Sequence, residues 1–164
     1  MPKVSEKQLD KALDHGLRTS PAFVIWLLGK TKFASRGGTY FWSRADHPYG
    51  RMPMQSDDSP DGIHYVESET DVLAVFTGSN GERFALHIEN KLGSGRFTRN
   101  QADLYARRAV LWLNNPRYGG YTEFETVLVA PLAFQRRHKS EAAKFDRFVS
   151  YEELAAHIPI FGSL

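Results

Sequence analysis

The first thirty residues carry apolar positions at helical spacing, with helix-capping residues before them. Ser5 followed by Gln8 forms a capping box, in which each side chain bonds the backbone of the other residue. The apolar residues that follow recur every four positions and form one stripe: Leu9, Leu13 and Leu17. This pattern predicts an amphipathic first helix that begins after Ser5.

A second helix is indicated directly afterwards by a different pattern. Ser20 is a favourable N-cap, Pro21 suits the first helical position, and Gly29 is a common terminator. The residues between them, AFVIWLL, are apolar on nearly every side of a helix. The sequence therefore predicts a short helix that is buried in the core.

Residues 34 to 62 follow neither the helical nor the strand period. They are rich in Gly, Pro, Ser and Asp, with aromatic residues between them, and this composition favours irregular backbone. Connections of this length inside a domain are usually functional or mobile. We expect a long irregular insertion here.

The clearest strand signals begin at Asp71. The segments DVLAVF and RFALHIE have the composition and length of strands, and Gly78-Ser79-Asn80-Gly81 between them has the chemistry of a hairpin turn. The sequence therefore predicts an antiparallel hairpin.

The second half of the chain predicts a helix, a strand and a last helical region. Thr98 followed by Gln101 is another capping box, which opens the helical segment NQADLYARRAVLWLNN. In FETVLVAPL the apolar run indicates a strand buried on both faces, and residues 139 to 157 are predicted to be helical with a break near Ser150. The order helix, helix, hairpin, helix, strand, helix predicts an α/β fold, with helices covering a central mixed sheet.

Length and composition limit the classes of protein. A chain of 164 residues with 41% hydrophobic and 24% charged residues predicts one domain over residues 1 to 164. No apolar run approaches the roughly 18 residues of a membrane span, and we expect a cytoplasmic protein without a membrane partner. Because the chain has no cysteine, any metal must be held by oxygen or imidazole ligands.

The net charge is only +2, but the basic residues are clustered. The clusters lie at Lys91 to Arg99, at Arg107 and Arg108, and at Arg136 to Lys139. Folding could join them into one surface that faces nucleic-acid phosphates. The alternative is that they are scattered, solvated side chains.

The alternation of side chains along the hairpin strands places candidate catalytic residues on one face. Glu89 and Lys91 point the same way, because side chains alternate along a strand. If Ser79 to Gly81 form a three-residue loop, residues whose numbers sum to 160 are opposite each other, and Asp71 faces Glu89. A two-residue turn would instead send the two carboxylates to opposite faces.

Two opposed carboxylates can bind a hard cation such as Mg²⁺ or Mn²⁺, with positions left for water and a phosphate oxygen. The ammonium of Lys91 can orient that water and offset the charge that develops on the phosphate. Asp71, Glu89 and Lys91 are therefore candidate catalytic residues for phosphodiester hydrolysis. The alternative is a solvent-facing ladder of weak ion pairs, since an isolated E-x-K is common.

In their order and spacing these elements and residues resemble the PD-(D/E)XK nuclease superfamily over about residues 5 to 131. The resemblance implies a restriction-endonuclease-like core of αβββαβ order and a nuclease that acts on DNA with Mg²⁺ or Mn²⁺. It implies metal binding by Asp71, by Glu89 and by the main-chain carbonyl of Asn90. Thr70 departs from the pattern, which has proline before the acidic residue.

Some relatives carry a further glutamate on the first helix, and here the carboxylates on that helix are Glu6, Asp10 and Asp14. They share one polar stripe, so any of them could reach the site, or all could be plain helix surface. Glu69 has the strand parity of Asp71 and is a further possible ligand.

Gln101 and Tyr105 resemble the Q-x-x-x-Y motif of RecB-like members, which implies that they bind the nucleic-acid substrate. The alternatives are a capping role for Gln101 and helix packing for Tyr105. Arg96 and Arg99 lie between the E-x-K motif and this helix and are candidate phosphate ligands.

The remaining candidates are histidines and aromatic residues. His87 shares the face of Glu89, but packing inside the sheet is the favoured role. The other histidines have no ligand spacing: His15, His47, His64, His138 and His157. Trp42 and its neighbours Tyr40 and Phe41 either anchor the long connection or stack on an unpaired base.

The hypothesis is a metal-dependent nuclease, with endonuclease and exonuclease action left open. The alternatives are a non-catalytic nucleic-acid-binding module of the same fold, and an interaction protein that binds a partner along residues 38 to 52. The chain is too short for a separate specificity domain, so a homodimer or a companion protein is expected.

Overall fold

The computed structural model describes residues 3–55 and 60–164. The helices are α1 (Glu6–Thr19), α2 (Pro21–Leu28), α3 (Gln101–Leu111), α4 (Leu132–Arg137), α5 (Lys139–Ala142) and α6 (Tyr151–Leu154), with 3₁₀ turns at Pro116–Tyr118 and Pro159–Ser163. The strands are β1 (Thr39–Arg44), β2 (Tyr49–Gln55), β3 (Ile63–Glu69), β4 (Val72–Thr77), β5 (Arg83–Asn90), β6 (Glu123–Ala130) and β7 (Arg147–Ser150).

The central sheet has five strands in the order β1-β4-β5-β6-β7, and β2 and β3 form a separate pair. Strands β1, β4 and β5 are antiparallel neighbours, whereas β6 and β7 run parallel to β5. The predicted α/β class, with a mixed sheet flanked by helices, is confirmed.

The N-terminal helices form as their capping residues predict. Ser5 and Gln8 make both bonds of the capping box, and Ser20 accepts the backbone N–H of Phe23 at the start of α2. The expectation that α2 is buried on all sides is wrong, because Ile25 is 68% exposed. Only one side of α2 packs against the sheet and α1, so the opposite side faces solvent.

The β4–β5 hairpin has the predicted register. Val72 pairs with Ile88 and Thr77 with Arg83, which are the pairs of the three-residue loop. Gly81 adopts φ of 80°, a left-handed conformation that glycine takes without a steric penalty. The turn therefore sets which side chains of the two strands share a face.

Two hydrophobic layers cover the sheet. On one side, α1, α2 and α6 pack on alternate residues of β4 and β5 that include Phe76, Phe84 and Ile88. On the other side, α3 and α4 pack over Leu128 and Ala130 of β6, in a separate apolar cluster. β6 is therefore buried on both faces, as its apolar run predicts.

The expectation of an irregular insertion over residues 34 to 62 is wrong for the described part of this stretch, and residues 56–59 lie outside the described residues. This stretch contains β1 and β2, and β1 pairs with β4 at the edge of the central sheet. β2 contains Gly50 and Pro53, residues that weaken strand signals but are tolerated in a two-stranded edge pair. Pairing with distant strands overrides the local composition here.

Two later elements also differ from expectation. β7 lies inside residues 139 to 157, which the sequence predicts to be helical, and Ser150 then makes the capping box of α6. α3 is shorter than predicted, because Asn100 precedes it at φ of 57° and the helix ends at Leu111. Within the described ranges, no helix has both the length and the apolar character needed to cross a membrane.

Candidate metal and active site

The end of the β4–β5 hairpin brings the two predicted acidic residues together. Asp71 immediately precedes β4 and Glu89 lies near the end of β5, and the pairing of Val72 with Ile88 sets them opposite each other. Both carboxylates are buried, with 8% of Asp71 and 2% of Glu89 exposed. They lie on the face of the sheet that α3 covers.

Glu89 is held from two sides by predicted site residues. Lys91 Nζ lies 2.7 Å from Glu89 Oε1, and Gln101 donates from Nε2 to the same oxygen at 2.6 Å. The Oε1 atom of Gln101 also accepts the backbone N–H of Thr98. The predicted capping box of Thr98 and Gln101 is wrong, because the N-cap of α3 is Asn100 and no side chain caps the helix, so the main role of Gln101 is its contact with the acidic site.

The backbone of Asp71 is fixed by Tyr105. The N–H of Asp71 donates to the Tyr105 hydroxyl at 3.0 Å, and that hydroxyl donates to the carbonyl of Ile88. The Asp71 carboxylate accepts the N–H of Asn90 at 2.8 Å. Tyr105 is almost completely buried, and its hydroxyl positions the backbone of Asp71.

Of the three first-helix carboxylates, Asp10 reaches the site. It is fully buried, and its Oδ1 accepts a hydrogen bond from the Asn90 side-chain amide at 2.8 Å. The oxygen of that amide accepts the Tyr151 hydroxyl. The side chain of Asn90 thus connects Asp10 to α6, a role separate from the metal-binding carbonyl that the family resemblance implies.

Glu6 and Asp14 have other partners. Glu6 accepts the backbone N–H of Leu92 just beyond the site, at 3.1 Å. Asp14 pairs with Arg18 at 2.8 Å and accepts the hydroxyl of Ser43. One helical turn in either direction from Asp10 therefore leads away from Asp71.

His47 is the site residue that the sequence does not reveal. Its Nε2 lies 3.0 Å from Asp10 Oδ2, and its Nδ1 lies 3.2 Å from Glu69 Oε1 and 3.7 Å from Asp71 Oδ1. It lies between β1 and β2, in the stretch that was expected to be irregular. No spacing signal could have found it, because its position depends on the unpredicted β2–β3 pair.

One group of side chains in the described part of the chain can hold a metal ion by geometry. Asp10, His47 and Asp71 each offer one ligand atom, and these atoms lie within 4.8 Å of one another. Two carboxylates and an imidazole suit a divalent cation. The donor set differs from the predicted one, since Glu89 is outside this group and His47 is in it.

The acidic residues destabilise one another's charged forms. Burial, followed by the charges of Glu89 and Asp10, raises the pKa of Asp71 to about 9. Burial also raises the pKa of Asp10, against opposing hydrogen bonds from Asn90 and His47. A bound cation would relieve this repulsion, which is the electrostatic condition expected of a metal site.

The surroundings favour the charged forms of the two basic groups, Lys91 and His47. Burial lowers the pKa of Lys91, but the charge and hydrogen bond of Glu89 outweigh it, so the pKa is raised overall. Burial likewise lowers the pKa of His47, whereas its hydrogen bonds to Glu69 and Asp10 give a net increase. Lys91 therefore stays an ammonium beside the carboxylates.

Glu69 lies at the rim of the site. It ends β3 and contacts His47, but 58% of its side chain is exposed and it is not in the metal-binding group. The shared strand parity from which Glu69 was expected to be a ligand does not apply, because Glu69 ends β3, Asp71 precedes β4, and these strands belong to different sheets.

The predicted basic surface forms only in part. Arg137 donates to the carbonyl of Gly93, and Phe97 contacts Phe134 and His138, so the clusters at 91 to 99 and 136 to 139 are adjacent. Arg96 and Arg99 are exposed on this loop. The expectation that Arg108 belongs to this surface is wrong, because its side chain is fully buried between α3 and β3.

His87 is a packed residue of the sheet interior. It is fully buried, with Thr70 Oγ1 3.0 Å from Nδ1 and the Tyr121 hydroxyl 2.9 Å from Nε2. Burial holds the pKa of His87 well below its usual value, with a smaller contribution from Arg108. It is neutral and closed off from any substrate.

A cleft lies between the β2–β3 pair and α3, beside the site. It has a volume of about 430 Å³, and its lining includes Tyr49 and Glu69 on one wall and Gln101 and Tyr105 on the other. Tyr49 is 66% exposed. The predicted substrate-binding residue Gln101 thus lies where a ligand entering the cleft would meet Glu89.

The comparisons with known proteins gave no match. A scan against protein-family models, a search of curated proteins and a search of solved structures each found no match. The interpretation of the site therefore depends on its residues alone.

Proposed function

We propose that this protein is a metal-dependent nuclease of the PD-(D/E)XK type that hydrolyses phosphodiester bonds in DNA. The observation that carries the proposal is the meeting of three buried carboxylates, Asp10, Asp71 and Glu89, with the ammonium of Lys91 beside them. Such a group repels itself without a cation, and three separate parts of the chain supply its carboxylates: α1, the residue before β4, and β5.

The order of elements supports the same conclusion. α1, β1, β4, β5, α3 and β6 follow one another in αβββαβ order, with the β2–β3 pair inserted between the first two strands of the meander. Asp71 precedes the second strand of this core and Glu89 ends the third, as in the family that the sequence resembles. Gln101 and Tyr105 on the next helix both contact the acidic site.

The residues divide the chemistry between them. Asp10, His47 and Asp71 would hold the cation, which when bound supplies Lewis-acid polarisation of the phosphate and acidifies a water molecule. Lys91, fixed by Glu89, can orient the attacking water and offset charge that develops on the phosphate oxygens. Gln101 holds Glu89 in place, and Tyr105 holds the backbone of Asp71.

The test is cleavage of linear, circular and single-stranded DNA, and of RNA, with Mg²⁺ or Mn²⁺. We expect cleavage with at least one substrate, and a loss of roughly 10²- to 10³-fold in Lys91→Ala, as for removal of a preorganised charge-stabilising group. Lys11→Ala, an exposed lysine on α1, is the matched control and should cleave like the wild type. Equal cleavage by Lys91→Ala, or no cleavage of any substrate, would refute the proposal.

A second candidate function is favoured by a separate observation. Large side chains in and beside residues 38 to 52 are exposed, with Phe41 at 42%, Tyr49 at 66% and Tyr65 at 58%. Such residues are enriched in protein interfaces, which supports a role as an interaction module. If the protein cleaves no nucleic acid but Phe41→Ser abolishes binding to a defined partner, this candidate replaces the first.

A further inference from the structure

Arg108 is the least satisfied buried charge in the described part of the chain. Its side chain is fully buried, it forms no ion pair with any described residue, and Nη2 has no hydrogen-bond partner. Its guanidinium lies 4.4 Å from the ring centroid of Tyr105 and 5.8 Å from that of Trp112. Burying an unpaired charge is unfavourable, so its position calls for a compensating role.

The guanidinium holds both the end of β3 and the connection from β3 to β4. Nε donates to Thr70 Oγ1 at 2.8 Å, and Nη1 donates to Ser68 Oγ. These two residues flank Glu69, and Thr70 directly precedes Asp71. A planar guanidinium fixes two acceptors relative to each other, which a lysine ammonium cannot do in the same way.

Thr70 passes this restraint to the segment that carries His47. Its backbone N–H donates to the carbonyl of Pro48 at 3.0 Å, and its hydroxyl also contacts His87. Proline, the residue of the family pattern at this position, has no N–H and could not make the bond. The departure from that pattern therefore has a structural use: it ties residue 48 to the residue before Asp71.

His47 needs such a restraint. It adopts φ of 53°, in the left-handed region that is unfavourable for residues other than glycine. In this conformation the ring of His47 lies between Asp10 and Asp71, at the distances given above. A free segment would relax to a more common conformation and carry the imidazole away.

We propose that Arg108 is a positioning residue for the metal site, and that it acts through Thr70 and Pro48 to hold His47 against Asp71. The inference deepens the proposed function and rests on it in one respect, that the site binds a divalent cation. Arg108 forms no ion pair with Asp71 and so leaves its carboxylate available to the cation.

The test measures Mn²⁺ affinity directly, by calorimetry or by electron paramagnetic resonance, without nucleic acid. We expect Arg108→Met to weaken Mn²⁺ binding by about tenfold or more, as for loss of a residue that orients a metal ligand. Arg136→Met, which removes an exposed arginine on α4, is the matched control and should bind Mn²⁺ like the wild type. Unchanged Mn²⁺ affinity in a folded Arg108→Met protein, or no Mn²⁺ binding by the wild type, would overturn the inference.

A second pair of variants covers the case in which Arg108→Met fails to fold. Thr70→Val removes the hydroxyl that Arg108 holds, whereas Thr70→Ser keeps it. We expect Thr70→Val to bind Mn²⁺ more weakly than Thr70→Ser, with both proteins checked for folding by circular dichroism. Equal affinities in the two variants would count against the inference.

A double-mutant cycle separates positioning from general loosening of the structure. If Arg108 acts through His47, its replacement should have little further effect on Mn²⁺ affinity in a His47→Ala background. Fully additive losses would mean that Arg108 does not act through His47. Weakened Mn²⁺ binding with no cleavage of any nucleic acid would leave this inference standing and refute the nuclease, and cleavage with unchanged Mn²⁺ affinity would do the reverse.

Discussion

The central sheet and the β2–β3 pair meet at the candidate site, and they are held in place in different ways. β4 and β5 are buried along nearly their whole length, whereas no residue of β3 is buried. The central sheet supplies Asp71, Glu89 and Lys91, and the base of the β2–β3 pair supplies His47 and Glu69. The site therefore has one wall on a rigid scaffold and one on a peripheral element.

A two-stranded sheet is marginally stable alone, so the β2–β3 pair depends on its contacts with the rest of the chain. Gly50 lies against Trp112 so closely that an added Cβ would be 3.3 Å from the indole. Arg107 of α3 contacts Met54, and Thr70 holds Pro48. The comparison suggests that scaffold substitutions change stability, while substitutions in the β2–β3 pair change the site with little effect on stability.

The largest expected effect lies in the central sheet. Phe84 is fully buried and stacks on Phe33 with ring centroids 4.2 Å apart. Phe84→Ala should lower the free energy of unfolding by about 3–5 kcal/mol, because it removes the ring and leaves a cavity. Urea unfolding followed by circular dichroism measures this change. A loss below about 1 kcal/mol, typical of a surface position, would contradict the buried scaffold.

A smaller effect is expected from pH in the metal-free protein. The pKa of Asp71 is raised to about 9 from 3.8, so at intermediate pH the folded protein holds a proton that the unfolded chain releases. Its contribution to stability is complete below about pH 4 and is lost as pH rises toward about 9. Thermal unfolding in chelator across this range, with Asp71→Asn as control, measures the dependence.

In Asp71→Asn the slope of stability against pH should become shallower over that range. Saturating Mn²⁺ should weaken the same slope in the wild type, because a cation favours the ionised carboxylate. A wild-type protein whose stability rises steadily from pH 5 to pH 9 in chelator would be inconsistent with a buried, repelling acidic group.

The smallest effect is expected in the β2–β3 pair. Tyr65 is 58% exposed, and its main contact is the guanidinium of Arg51, 4.9 Å from the ring centroid. Tyr65→Ala should lower the free energy of unfolding by about 0.5–1 kcal/mol, the size of an exposed cation–π contact. A loss as large as that of Phe84→Ala in the same urea experiment would remove the contrast between the two sheets.

Local signals predicted the scaffold well. The caps of α1 and α2 and the turn at Gly81 involve residues within a few positions of each other, so their chemistry can be read along the chain. The turn fixes the register, and the register places Asp71 opposite Glu89. Half of the candidate site follows from this one hairpin.

The other half depends on pairing between distant residues. β1 and β7 are stabilised by strands far away in sequence, and β2 contains Gly50 and Pro53, so composition alone does not reveal these strands. The position of His47 in the site and the burial of Arg108 depend on that pairing. The sequence narrowed the first-helix carboxylates to three, but the rotation of α1 against the sheet decides that Asp10 is the one that reaches the site.

The bond between Tyr151 and Asn90 has a consequence for how the site is completed during synthesis. Asp10 leaves the ribosome early and Asn90 later, but the Asn90 amide lacks its hydroxyl donor until residue 151 has been made. Until then that amide lacks the second bond that fixes its orientation toward Asp10. Competence to bind a cation should therefore arise abruptly in nascent chains, once α6 has docked.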